Sequence, residues 1–240
     1  MGFLNRIGIG NTRAAGTPGA AALRTHVPAT ATALADPSFA PREARGSNSL
    51  KDFLWHLSGL GRGNLLDLGP VWQSTVSFFI ERGFKVSTED VLAGLKQISQ
   101  EDAERQRSLP ADAEKISRAE LAKTFLDTSL QYAPGSFDAV LAWDVLDYLE
   151  DDAMKLVAER LRSLVREGGV ILAMFHSKRP QQFQRYRILD EKTLEMVPSS
   201  SIFPMARVFQ NREISDLFSR FHTSKTYLGR DQLREGLFVK

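Results

Sequence analysis

The residues of this chain best suited to chemistry are acids that close short apolar runs. Asp67 ends Asn64-Leu65-Leu66 and is followed by Leu68-Gly69. Glu89 and Asp90 come just after Phe84–Val86, and Asp127-Thr128 comes just after Phe125-Leu126. Trp143-Asp144 and Asp147 follow Ala139–Ala142, and Phe175–Ser177 follows Val170–Met174, bringing in His176. If each run is a strand of an open α/β sheet, these residues gather where such sheets bind ligands, outside the carboxyl ends of the strands. Acids there suit a ligand rich in hydroxyl and amine donors. A carboxylate ending the second strand can accept both hydroxyl hydrogens of an adenosine ribose, as in dinucleotide folds. Glu89 is the candidate for that role, with Asp90 one residue later as the alternative.

The elements that must position these acids alternate along the chain. Ser47 or Ser49 can cap a helix with Leu50, Phe53, Leu54 and Leu57 on its apolar face, and glycines 59, 61 and 63 end it. The strand closing on Asp67 comes next. A helix with Val76, Phe79 and Ile80 on one face then runs to Gly83, and the strand from Phe84 follows, a unit of the right length for a parallel crossover. Residues 91–123 are highly charged and read as a helical elaboration interrupted at Pro110. Phe125-Leu126 reads as a third strand ending at Asp127, and Ala139–Trp143 as a buried strand. A helix from about Asp152 carries Met154, Val157, Leu161, Leu164 and Val165 at helical spacing, with Gly168-Gly169 ending it before the strand Val170–Met174. Residues 178–210 read as an inserted segment with a hairpin over Tyr186–Val197. Asn211 caps a helix through Phe218, and the chain closes on an antiparallel hairpin, Thr223–Leu228 and Leu233–Val239. The expectation is a doubly wound, mostly parallel α/β sheet with helices on both faces and a C-terminal antiparallel hairpin. It spans residues 47–240, after a disordered tail over 1–46 that is rich in Ala, Thr, Gly, Pro and Arg.

Composition narrows the function classes. The 240 residues contain no cysteine, which excludes disulfides, thiolate zinc sites and cysteine nucleophiles and leaves a cytoplasmic location as the expectation. The four histidines have no metal-ligand spacing, so no metal is expected. A net charge of +2 with scattered Lys and Arg implies no nucleic-acid partner. No apolar run reaches the roughly 20 residues a membrane-spanning helix needs. Phosphate-binding Gly-x-x-x-x-Gly-Lys loops and Gly-x-Ser-x-Gly elbows are both missing.

Taken in order, these segments resemble the class I S-adenosylmethionine-dependent methyltransferases. Leu65–Gly69 resembles the family's first motif, Glu89 its ribose-binding acid, and Asp127-Thr128 its adenine-proximal acid. Ser136–Leu149 is similar to its fourth motif, and Arg166–Ile171 to the helix end and strand that follow. The resemblance implies S-adenosylmethionine as cofactor, with Asp67, Gly69, Pro70, Glu89, Asp127, Thr128, Trp143 and Asp144 around it. It also implies methyl transfer to an unidentified small-molecule or protein acceptor. Such transfer needs orientation and exclusion of water more than an obligatory catalytic residue. If there is one, Asp144, Asp147 and His176 lie nearest the acceptor side. Lys178, Arg179, Arg185 and Arg187 form a basic group near the same cleft that could attract an anionic acceptor, but they read first as a charged loop facing water.

The chain departs from the family at one point. Where the family continues Gly-x-Gly-x-Gly, this chain has Gly69-Pro70-Val71-Trp72-Gln73, keeping only the first glycine. Pro70 fixes φ and removes a backbone donor, while Val71 and Trp72 add bulk. Dinucleotides need the second glycine for close approach of a pyrophosphate, so the loss argues against NAD more than against S-adenosylmethionine. Two functions follow. One is an active methyltransferase. The other is a catalytically inactive methyltransferase-fold protein with a binding or regulatory role, the outcome expected if side chains fill the methionine pocket.

Overall fold

The computed structural model describes residues 42–108, 110, 116–229 and 231–240. The disordered tail expected over 1–46 therefore lies largely outside the described residues. Its last part is corrected, because Glu43–Gly46 form a strand, β1. What orders it is long-range. Its backbone pairs antiparallel with a strand some 150 residues later, and the Arg45 guanidinium bridges Asp231 at 2.7 Å and Glu235 at 2.6 Å. Nothing local in the Arg-, Ala- and Pro-rich segment announces either partner.

Helix α1 (Asn48–Leu57) starts at Ser47, whose side chain accepts the Leu50 N–H, and buries Leu50, Phe53 and Leu57. Strand β2 (Gly63–Asp67) leads through Gly69 to α2 (Gln73–Ile80) and β3 (Phe84–Thr88). The buried face of α2 is Thr75, Phe78 and Phe79, so Ile80, expected on the apolar face, instead stands 57% exposed. Gly83 takes φ +86° between α2 and β3, a conformation only glycine adopts freely.

Helices α3 (Val91–Arg107) and α4 (Arg118–Thr128) make up the charged elaboration. The third strand expected at Phe125-Leu126 does not exist. Those residues lie in α4, with Phe125 and Ala122 buried one turn apart. The helix wins because Ser117 and Glu120 form a complete capping box, each satisfying a backbone donor of the other.

Strand β4 (Phe137–Trp143), a 3-10 turn (Val145–Tyr148), α5 (Asp151–Leu164) and β5 (Val165–His176) follow. α5 ends at Leu164, several residues before Gly168-Gly169, which lie inside β5; Gly168 there has φ +72°. The inserted segment forms the hairpin β6 (Gln184–Asp190) and β7 (Thr193–Pro198). Helix α6 (Asn211–Leu217) is capped by Gln210, with Glu213 reciprocating, rather than by Asn211. Strands β8 (Thr223–Leu228) and β9 (Leu233–Val239) close the chain.

Six strands form the main sheet in the order β3-β2-β4-β5-β9-β8. β3, β2, β4 and β5 are mutually parallel, and β9 runs antiparallel to both neighbours. A second sheet, β1-β7-β6, packs beside α2. On one face of the main sheet the core holds α3, α4, α5 and α6 residues. On the other, α1 and α2 pack with Tyr186, Ile188, Leu194 and Met196 of the small sheet. The fold is Rossmann-like α/β, with the order reversing at β2 and β4 where a ligand crevice belongs.

Candidate functional site

The ends of β2 and β3 meet as a parallel pair should. The Glu89 N–H donates to the Asp67 carbonyl at 2.8 Å, so the two acids singled out by the sequence are neighbours. Their side chains are already engaged. Asp67 is buried, and its Oδ1 accepts the Gly69 N–H at 2.9 Å and the Trp143 indole N–H at 2.7 Å. Burial still dominates these two bonds and pushes its carboxyl up to about 6. Glu89, half-buried, accepts the Tyr132 hydroxyl at 3.0 Å. Burial and that contact together raise the Tyr132 phenol. Asp90 caps α3 through Ala93 and pairs with Arg185 of β6 at 3.1 Å, so it too is committed.

Trp143 is the residue that organises this crevice. It closes β4 in the left-handed region, φ +49°, unusual for so bulky a side chain. Such a backbone costs on the order of 1–3 kcal/mol and persists only where packing over-determines it. Here the indole stacks on Tyr186, with ring centroids 5.8 Å apart and planes 13° from parallel. Its other neighbour is Gly69, where an added Cβ would lie 3.0 Å from indole Cδ1 and Nε1. A side chain at this position would fit only if the indole gave by a few tenths of an ångström. Pro70 is half-buried beside it and Val71 is 70% exposed. Trp72 precedes α2, its ring 5.5 Å from the Arg187 guanidinium. Neither Pro70 nor Trp72 is what covers Gly69.

Asp127 and Thr128 do not join this group at a strand end. They sit exposed in the last turn of α4, where the Thr128 hydroxyl bonds back to the Thr124 and Phe125 carbonyls.

A second cluster lies at the ends of β4 and β5. Asp144 opens the 3-10 turn, Asp147 lies within it, and His176 closes β5. Asp147 Oδ2 receives both the His176 backbone N–H at 2.7 Å and Nδ1 at 2.8 Å, while its buried Oδ1 has no partner among the described residues. Asp144 Oδ2 is 3.8 Å from the same Nδ1 and accepts the Tyr186 hydroxyl at 3.3 Å. Burial pushes the Asp144 carboxyl up to about 7, and Asp147 adds to that while His176 opposes it. Burial also raises Asp147 and Tyr186. Burial alone would lower His176, but the Asp147 bond and the Asp144 charge outweigh it, so the imidazole holds its proton above the ordinary range. No group of three metal-ligating side chains occurs among the described residues.

The basic residues of the insertion are not all a solvated loop. Arg185 is 8% exposed, paired to Asp90 and set over the Phe183 ring; Arg187 pairs with Glu195 at 2.5 Å. Burial follows from their place on β6, which packs against α2. Tyr186 between them stacks on Trp143 and donates to Asp144, and no feature of the sequence marked it. Tyr132 was equally silent.

No known family's sequence pattern matches the chain, and no curated protein matches it. Among solved structures it is similar to the 1,6-didemethyltoxoflavin-N1-methyltransferase of Burkholderia thailandensis, solved with S-adenosylhomocysteine. That match has 15% identity over 79% of this chain and 74% of that one, with a TM-score of 0.41. It is likewise similar to the PH0226 protein of Pyrococcus horikoshii OT3 (16% identity, 78% and 85% coverage, TM-score 0.42). A third is the glycopeptide N-methyltransferase MtfA complexed with S-adenosyl-L-methionine (14% identity, 80% and 92% coverage, TM-score 0.38). Among the described residues no helix is long and apolar enough to cross a membrane.

Proposed function

We propose that this chain is a methyltransferase-fold protein whose cofactor crevice is closed by its own side chains, and that it serves as a binding or regulatory module. One observation carries this reading: the Trp143 indole lies on Gly69 and donates to Asp67. A glycine at this turn allows close approach of whatever sits above the backbone. Here that space is filled by the indole, backed by Tyr186. The residues present therefore do not fit the methionyl half of S-adenosylmethionine.

The other reading, an S-adenosylmethionine-dependent methyltransferase with an unidentified acceptor, has one observation in its favour. Asp67 and Glu89 stand on adjacent strand ends, linked at 2.8 Å, as a nucleoside cradle requires. Calorimetric titration of the full chain with S-adenosylhomocysteine separates the two. The closed module gives no saturable heat with the wild-type chain. Stoichiometric binding by the wild type overturns the closed reading and restores the enzyme.

A further inference from the structure

At the amino ends of β2 and β3, the far end of those strands from Asp67 and Glu89, lies a groove of about 620 Å³. One wall is the outer face of α1 and its cap, where Lys51, Leu54, Trp55 and Ser58 follow one another at i, i+3, i+4 and i+7. Phe79 of α2 and Phe84 of β3 line it with apolar surface, and the β6–β7 turn borders it with Glu191 and Lys192. That turn is fixed beside α1 by the Ser47 N–H, which donates to the Lys192 carbonyl at 2.8 Å. Trp55 stands 73% exposed, more than any other large apolar side chain among the described residues. An indole left in water at the lip of an apolar groove is suited to anchor a partner, because Trp contributes most to binding when a partner desolvates it.

The charges around the groove do not cancel. Arg82 pairs with Glu191 at 2.9 Å and also donates to the Phe78 carbonyl, its guanidinium lying 3.6 Å from the Phe78 ring centroid. Lys51 and Lys192 remain, and neither ammonium has an ion pair or hydrogen bond among the described residues. Asp190, on the same turn, accepts the Lys192 backbone N–H at 2.9 Å and borders the adjoining hollow with Phe78 and Leu189 instead. Asp52 of α1 is engaged by Lys225 and Tyr227. The groove thus offers two exposed ammoniums around an apolar centre, which complements carboxylates flanking an apolar side chain. A polypeptide meets the two ammoniums with different residues, so no single group has to span them. Nucleic acid fits less well. The one guanidinium is committed, the Ser58 hydroxyl is spent on the Trp55 carbonyl at 2.7 Å, and two ammoniums make no track for a phosphate backbone. Residues 1–41 of this chain carry Arg6, Arg13 and Arg24 against Asp36, the wrong sign for the occupant.

We propose that this groove docks an acidic segment of a partner protein, with an apolar side chain of that segment on Trp55 and its carboxylates on Lys51 and Lys192. The site lies at the opposite end of the strands from the crevice and stands under either reading of it.

The test is selection of random dodecapeptides displayed on phage against the immobilised full chain, followed by fluorescence anisotropy with the selected peptides made synthetically. Peptides with an aromatic or aliphatic residue flanked by Asp or Glu are expected. Their affinity should fall at least about thirtyfold in Trp55→Ala, the loss of an interface hot spot. Lys51→Glu and Lys192→Glu together should weaken them at least about tenfold. All three side chains are exposed, so these variants keep their fold. Leu228→Ser alters a 66% exposed apolar residue outside the groove and should leave the affinity unchanged. No enriched sequence, or enrichment of basic peptides, overturns the proposal. So does undiminished affinity in Trp55→Ala or in the double lysine variant, or a loss as large in Leu228→Ser. Tighter binding of oligo-dT than of any selected peptide overturns the assignment to a protein segment. Sedimentation showing a wild-type dimer that Trp55→Ala dissociates overturns it in favour of a second copy of this chain.

Discussion

Two groups of buried carboxylates sit at the carboxyl end of one sheet, either side of Trp143, and they are finished differently. At the end of β2, Asp67 accepts a backbone N–H and an indole N–H on the same oxygen. At the ends of β4 and β5, Asp144 and Asp147 share a single imidazole, one carboxylate oxygen has no partner among the described residues, and the histidine borders a cavity. Both groups are desolvated, and both have raised carboxyl values. Burial alone therefore does not separate the two groups. The difference lies in which donors the chain brings to each acid.

Removing His176 tests that contrast most severely. His176→Ala leaves Asp147 and Asp144 buried without their cation, and breaking such a pair costs about 3–5 kcal/mol. We expect about 3, at the low end, because a carboxyl already raised by burial takes up a proton instead of remaining charged. Urea unfolding at neutral pH measures it. A loss within the range of ordinary surface substitutions would mean that the cluster is not an electrostatic unit.

The pH profile of stability comes next. An acid whose folded value lies above its ordinary one favours folding while protonated, and that advantage is lost as pH rises. Stability should thus fall between the ordinary 3.8 and about 6 on account of Asp67, and on toward about 7 on account of Asp144. His176, raised by its partners, acts in the same direction: its contribution is present below its unfolded value and disappears as pH rises through its folded one. Asp67→Asn should flatten the lower part of this decline and leave the upper part intact. A slope unchanged in that variant would show that Asp67 titrates normally and is not sealed.

Trp143→Phe keeps an aromatic ring over Gly69 but removes the indole donor. The cost expected is about 1.5–3 kcal/mol, that of a hydrogen bond to a charged group. Thermal or urea unfolding of the variant would detect it. A neutral outcome would reduce the Trp143–Asp67 contact to packing.

The smallest effect belongs to Tyr186→Phe. Its contact with Asp144 is long, 3.3 Å, while its stack on Trp143 survives the change. About 0.5 kcal/mol is expected, the low end for a net hydrogen bond. A much larger loss would make Tyr186 a member of the acid cluster in its own right, joining the two regions into one network.

Much of this was legible in the residues. Apolar runs ending in acids located β2, β3 and β4, and the run ending at His176 located β5. Ser47 or Ser49 marked the start of α1, of which Ser47 is the cap, and Gly83 marked the turn into β3. The Asp67–Glu89 pairing followed, because parallel neighbours bring strand ends together whatever their side chains. The Phe125–Leu126 strand was misread because two large apolar residues before an acid look alike in either period, and the deciding signal, Ser117 with Glu120, lay eight residues upstream. What sequence could not supply was contact between remote segments. Trp143 over Gly69, Tyr186 against Trp143, Arg185 on Asp90 and β1 on β7 join positions that only the closed chain makes adjacent. Local patterns of polarity and turn chemistry act over a few residues and so determined the elements and the acids they carry. How the crevice between those elements is lined depends on side chains arriving from elsewhere in the chain, and only tertiary packing decides that.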